Sequence, residues 1–224
     1  MVVASGCAGG EPTRQDVTVL ANDLHVIDEP AVVRCLIDRH PWATIVSDGA
    51  GAGPIVSHLP VVLDHSRDDL TVLGHLARVD ADEHGLGERR VTVIVQGPQG
   101  YVSPTLYGPF GPYVPTWDFL VLHLHGVPEV LDETATWQVL RQTVERCERD
   151  FEESWQLDSV SEYAESLRPW VTGFRLTPTR LVTKAKLSQD KPREVVARLL
   201  DGFESDGPYA NPALAAVIRE LGDA

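Results

Sequence analysis

The chain has 224 residues, 43% apolar and 23% charged, enough for one sizeable globular core with small additions. Its 33 acidic residues against 19 basic leave a formal charge of −14, which removes the cationic footprint that nucleic-acid binding needs. No apolar run is long enough to span a bilayer. The cysteines Cys7, Cys35 and Cys147 form no Cys-x-x-Cys pair, as suits a reduced, cytoplasmic protein without structural zinc.

The opening MVVASGCAGG has neither the basic nor the apolar stretch of a lipoprotein signal, so residues 1–22 read as a disordered or irregular extension. A short helix follows, with Asp28 as N-cap, Pro30 in its first turn, and Val32, Val33, Leu36 and Ile37 along one side. Residues 43–47 read as a strand. The glycine-rich stretch 48–54 lies between two strands and not before a helix, so it reads as a hairpin turn. In the next strand, 55–63, alternation sets His58 on the face opposite Leu59 and Val61. The third strand, 70–78, carries His75 on a face with Leu73 and Ala77. Gly74 beside it reads as a gap through which a flat ligand or a second backbone comes close.

Strands at 90–96 and 118–125 flank the stretch GPQGYVSPTLYGPFGPYVPTWDF, residues 97–119. Its glycines and prolines exclude a long helix, and its aromatics argue against disorder. It reads as an ordered wall that packs on a flat cofactor or a second subunit. A helix over about 133–151 shows an apolar stripe of Trp137, Leu140, Val144, Cys147 and Phe151. Ser159 to Glu162 reads as a capping box opening a helix that runs to Leu167, and Pro169 ends it. Strands at 171–176 and 181–185, a helix from about Arg193, and a final helix capped by Asn211-Pro212 complete the chain. The pattern predicts an α+β, mainly β architecture: a barrel of six to seven mostly antiparallel strands with flanking helices. The main domain spans 23–201 and a helical tail 202–224.

HPWATIVS, SHLPVVLD, LGHLAR, QGPQGYVSPTLY, VPTWDF, GFRL and KLSQD follow one another as they do in the PaiB-like FMN-binding split-barrel proteins, and the chain resembles that family from about residue 26 to 200. The resemblance implies a split β-barrel, a homodimer and a planar cofactor at the dimer interface. The chain departs from the common pattern at Val79-Asp80-Ala81, at Ser103–Tyr107 and at Asp190. Ser103–Tyr107, Pro115–Phe119, Trp155, Tyr163 and Phe174–Leu176 look closer to the piperazate synthases. That branch binds haem b and converts N5-hydroxy-L-ornithine to L-piperazate by joining its two nitrogens.

A haem implies an axial ligand, most often a neutral imidazole. His40, His58, His75, His123 and His125 lie in the barrel motifs; His75 ranks first, for its glycine neighbour, and His58 second. Arg78, Lys184, Lys186, Ser188 and Gln189 are the candidates for propionates or a flavin phosphate. The resemblance puts Ser103, Thr105, Tyr107, Thr116 and Trp117 on the substrate side, with Ser103, Thr105 and Tyr107 as catalytic candidates and Asp118 as a partner for the substrate ammonium. Two other readings remain open: an FMN-binding negative transcriptional regulator, which the acidity and the lack of a basic recognition helix oppose, and a flavin or haem oxidoreductase on the same scaffold.

Overall fold

The computed structural model describes residue 27, residues 29–49, residue 51 and residues 53–221. The N-terminal extension with Cys7 and the expected N-cap Asp28 lie outside the described residues. The first helix, α1 (Pro30–Arg39), starts on Pro30, whose missing N–H costs nothing at that position, and buries Val33, Leu36 and Ile37. β1 (Trp42–Asp48) and β2 (Pro54–Leu63) form the expected hairpin, in register from Trp42 opposite Pro60 to Asp48 opposite Pro54. β2 is long enough to serve two neighbours. Its first part pairs with β1, and Val61–Leu63 pair with β3 (Val72–Ala77).

The sheet has eight antiparallel strands in the order β6-β7-β3-β2-β1-β4-β5-β8, curled around one core. The remaining strands are β4 (Val91–Val102), β5 (Thr116–Gly126), β6 (Glu129–Val130), β7 (Val171–Leu176) and β8 (Arg180–Lys186). The count exceeds the six or seven read from the sequence, because β6 is only two residues long. Ile45, Val93, Leu122, Phe174 and Leu199 are among the residues that fill the interior. At the β8 edge, Ile27 N–H donates to Thr183 Oγ1 (2.9 Å), and that hydroxyl donates back to Ile27 O (2.6 Å).

Several elements differ from the sequence reading. The third strand ends at Ala77, and residues 78–84 form α2 (Arg78–His84), closed by Gly85 in the left-handed region (φ 62°). Asp80 and Asp82, poor helix formers, masked it. The expected long loop after residue 96 is mostly strand: β4 continues to Val102 through a bulge between Gln96 and Gln99, which leaves 103–115 as the connection. Gly97 is needed in that bulge, since a Cβ there would lie 2.9 Å from Leu36 Cδ1 and 3.1 Å from Leu120 Cβ.

α3 (Glu133–Glu148) is capped by Asp132, whose Oδ1 accepts from Ala135 N–H (2.7 Å). Its buried face is Thr136, Trp137, Val139 and Thr143, rotated from the expected stripe, and Phe151 lies beyond the helix, exposed. The threonines face inward because their hydroxyls find partners there. Thr143 Oγ1 donates to Val139 O (2.8 Å), and Thr136 Oγ1 accepts from Gly173 N–H (3.1 Å).

Ser159 does not cap the next helix; its hydroxyl donates to Gln156 O within a 3-10 turn, and α4 (Ser161–Leu167) begins after that turn. α5 (Arg193–Glu204) and α6 (Pro212–Leu221, with Asn211 Oδ1 accepting from Leu214 N–H) place Val195, Leu199, Phe203, Leu214 and Ile218 in the same core as the strands. A boundary at 201/202 would therefore fall inside α5.

Candidate functional site

The outer surface of the sheet divides in two. Over β2, β3 and β7 it is covered by α3: Val62 and Leu73 pack with Val139, and a Cβ on Gly173 would meet Thr136 Oγ1 at 2.7 Å. His75 is opposite Gly173 on this covered face, with its Nδ1 buried and unpartnered among the described residues. Burial holds its pKa below the usual histidine value. The gap at Gly74 opens inward, to the other face, and is already filled: a Cβ there would lie 2.6 Å from the Phe174 ring. The close approach expected at Gly74 is thus made by the protein's own core.

The outer face of the β2, β1, β4, β5 and β8 half carries no helix among the described residues. One cross-strand row runs His58, Thr44, Ile94, His123, Val182. Trp42, 64% exposed, stacks on His58 (ring centroids 6.3 Å apart, 21° between planes), and His58 Nδ1 is hydrogen-bonded to Thr44 Oγ1 (3.0 Å). A Thr44 hydroxyl that accepts from Nδ1–H leaves Nε2 as a free lone pair. His125 is held by Thr92 in the same way (2.9 Å). His58 and His123 are three strand spacings apart, about 14 Å, so one small ion cannot bridge them within a chain.

Two open clefts meet on this face at the Gln96–Gln99 bulge. One, about 580 Å³, runs along His40, Trp42, Thr44 and His58; the other, about 330 Å³, is walled by Trp117, Phe119 and Val121. Together they make a trough of the size that takes a flat cofactor. The face is basic although the chain is acidic. Arg90, His123, His125, Arg180, Lys184 and Lys186 lie on the β4, β5 and β8 part, and none of them makes a salt bridge among the described residues. Lys184 is only 4% exposed, with the Phe119 ring 6.0 Å from Nζ as its recorded partner. Burial and then the Lys186 charge lower its pKa. Burial and then Arg180 do the same to His123 and His125. The stem of Lys184 is buried while its ammonium sits beside further cations with no carboxylate paired to it among the described residues, an arrangement suited to an anionic group.

Of the other candidates, Lys186 and Trp117 reach the trough and the rest lie elsewhere. Lys186 borders the trough, donating to Thr116 Oγ1 and Trp117 O (3.2 Å), and the Trp117 indole donates to Gln99 Oε1. Ser103 and Thr105 turn to the helical side, where Tyr209 Oη donates to Ser103 Oγ (3.3 Å). Tyr107 is buried in the core, its hydroxyl unpartnered among the described residues. Ser188 Oγ donates to Asp118 Oδ2 (2.6 Å), and Gln189 closes the turn by bonding Ala185 O and Leu187 N–H (2.7 Å). Asp118 is fully buried with Oδ1 unpartnered among the described residues, and burial, partly offset by Ser188 and Lys186, pushes its pKa up to about 6. Arg78 is on the α2 side, donating to Pro169 O (2.5 Å). Trp42, Thr44, Arg90 and Arg180 were not singled out from the sequence; strand alternation together with the cross-strand register would have found them.

The sequence model of a putative FMN-binding domain matches residues 21–180, well over half of the chain. The chain belongs to this PaiB-like FMN-binding split-barrel family. Among its PaiB-like relatives is the protease synthase and sporulation protein PAI 2 of Bacillus subtilis, 26% identical over 172 residues, 76% of this chain and 82% of that protein. The split-barrel fold is shared with a flavocytochrome of Azotobacter vinelandii (TM-score 0.56, 17% identity, 73% of this chain and 70% of that one). It is shared also with an FAD- and haem-binding protein of Mycobacterium smegmatis (TM-score 0.53, 14% identity, 76% and 78%). No helix among the described residues is long and apolar enough to cross a membrane.

Proposed function

We propose that the trough holds haem b and that the chain is a piperazate-synthase-type cyclase acting on N5-hydroxy-L-ornithine. The supporting observation is His58: an exposed imidazole on the trough wall, its Nδ1 held by Thr44 and its ring stacked on Trp42. With Nδ1–H donated to Thr44, the His58 ring would offer Nε2 to an iron, for which a neutral imidazole is the commonest axial ligand. The set of side chains fits the rest of the group, with Lys184 and Lys186 for carboxylates and Trp117 for the flat ring. Bound haem would supply a Lewis-acidic iron that polarises the hydroxylamine.

The reaction is a dehydration without net redox change. A nitrogen–nitrogen bond forms, the nitrogen–oxygen bond breaks, and the hydroxyl leaves as water with a proton from the α-ammonium. What the chain contributes is placement: an aromatic-walled trough keeps both ends of a short substrate together. Ser103 and Thr105, tied to Tyr209, hold the 103–115 connection on the helical side. A homodimer completes the reading.

Reconstitution decides it. The expected result is a Soret band with haem, its loss in His58→Ala with an unchanged melting temperature, and a mass loss of one water from N5-hydroxy-L-ornithine. A His58→Ala protein with an unaltered Soret band sinks His58 as ligand, and an intact protein that converts no substrate sinks the cyclase. The family model favours a second reading, an FMN-binding protein on the same trough. Flavin bands after FMN addition and none after haem would select it.

A further inference from the structure

A further cleft, of about 400 Å³, shares no lining residue with the trough. Its volume is that of a small-ligand site. Three elements converge on it: the end of α1, the end of β2 with the turn that follows, and one face of α3. The apolar part of the lining is Ile37, Val61, Val62 and Leu63, all buried. The turn beside them is fixed by Asp64, whose carboxylate accepts from Ser66 N–H (3.1 Å) and Arg175 Nε (3.0 Å).

The polar part is charged, and its pairing is incomplete. Glu145, Arg146 and Arg149 line the cleft from α3, where spacings of three and four residues share a face. Asp38, on the α1 side, serves both guanidiniums. Its Oδ1 accepts from Arg146 Nε (3.1 Å), its Oδ2 from Arg149 Nη2 (3.0 Å), and its backbone O from Arg146 Nη2. Arg146 Nη1 has no hydrogen-bond partner among the described residues, although the side chain is only 16% exposed. Glu145 makes no ion pair among the described residues. One guanidinium donor and one carboxylate are therefore both open beside the same apolar lining.

That combination selects a ligand. A plain carboxylate would bring a second negative charge up to Glu145, and a plain amine would leave the guanidinium unused. A molecule that carries both charges on one carbon, next to an apolar body, satisfies all three parts of the cleft. We propose that this cleft binds a free α-amino acid with an aliphatic side chain, its carboxylate on Arg146, its ammonium on Glu145 and its side chain against Val62 and Leu63. The polar tail of N5-hydroxy-L-ornithine would meet an apolar lining here, so the ligand is distinct from the substrate proposed for the trough. The site does not depend on which cofactor the trough takes.

The test is calorimetric titration of the full chain, as purified, with L-leucine and with two truncated forms of it. These are 4-methylpentanoate, which lacks the amine, and 3-methylbutylamine, which lacks the carboxylate. L-leucine should bind one per chain, and each truncated form about tenfold or more weaker. Glu145→Gln should weaken L-leucine about tenfold and leave 4-methylpentanoate no weaker than before. Gln142→Trp puts a bulky ring into the cleft from an exposed position on α3 and should abolish binding. Melting curves establish that both variants are folded. No saturable heat with L-leucine at millimolar concentration overturns the proposal. So does 4-methylpentanoate that binds as tightly as L-leucine, and so does L-leucine binding that survives Gln142→Trp. Failure to take up haem or FMN sinks the reading of the trough and leaves this site standing.

Discussion

His58 and His75 sit on neighbouring strands, and what separates them is cover. Around His75 the outer residues are Val62, Leu73 and Gly173, apolar or small, and a helix lies down on them. Around His58 they are Trp42, Thr44 and Ile94, with cations further along, and no helix among the described residues covers them. The same strand alternation that hides one imidazole presents the other. A histidine's chemical role is therefore set by the layer above its strand and not by the residues beside it in the chain.

The most severe break in the covered half is Phe174→Ala. It empties the space that Gly74 was shaped to receive and should cost about 3–5 kcal/mol in denaturant titration. A loss under about 1 kcal/mol would mean that the ring is not the core's keystone there. Beneath the other half, Asp118 should act in the opposite sense. Its carboxyl is raised from 3.8 to about 6 by burial, so the folded protein binds the proton more readily than the unfolded chain. Stability then falls as pH rises from about 4 to about 6. Asp118→Asn should remove that dependence and gain up to about 3 kcal/mol above pH 6, with no difference near pH 4. An equal or less stable variant at pH 8 would show that the carboxylate has a partner.

Smaller effects sharpen the contrast between the two histidines. Thr44→Val releases His58 Nδ1 and should weaken haem uptake about tenfold without changing the fold; unaltered uptake would dissociate Thr44 from the site. His75→Leu replaces a buried ring with an unpartnered nitrogen and should be neutral to about 1 kcal/mol stabilising, with cofactor uptake intact. It should also lessen the acid-side loss below pH 6.5, where a buried neutral histidine is penalised by protonation. Loss of cofactor in His75→Leu would return His75 to the site.

Much of the fold was legible because local signals and the final structure agree: the 48–54 glycines at a hairpin, Asn211-Pro212 at a helix start, alternation in β2. The bulge in β4 was not, since Gly97-Pro98 has the same local signature as a loop, and only packing against Leu36 and Leu120 makes it strand. The α3 face was misread because hydrophobicity alone cannot show that Thr136 and Thr143 carry their own hydrogen-bond partners. His84, fully buried between Ser47 and Ser57 with both ring nitrogens bonded, gave no sign in the sequence that it was structural. The trough needed the register of five strands at once. No single stretch of chain contains it.

The hydroxyl of Thr183, which both accepts from and donates to the Ile27 backbone, has a consequence for how copies of this protein can meet. A sheet margin with bare amides and carbonyls recruits stray strands and seeds fibrils. Here one margin is two residues long and the other is latched by a side chain. A two-residue strand gives an incoming strand little to pair with, and beside β8 the Thr183 hydroxyl holds the backbone of residue 27 along the other margin.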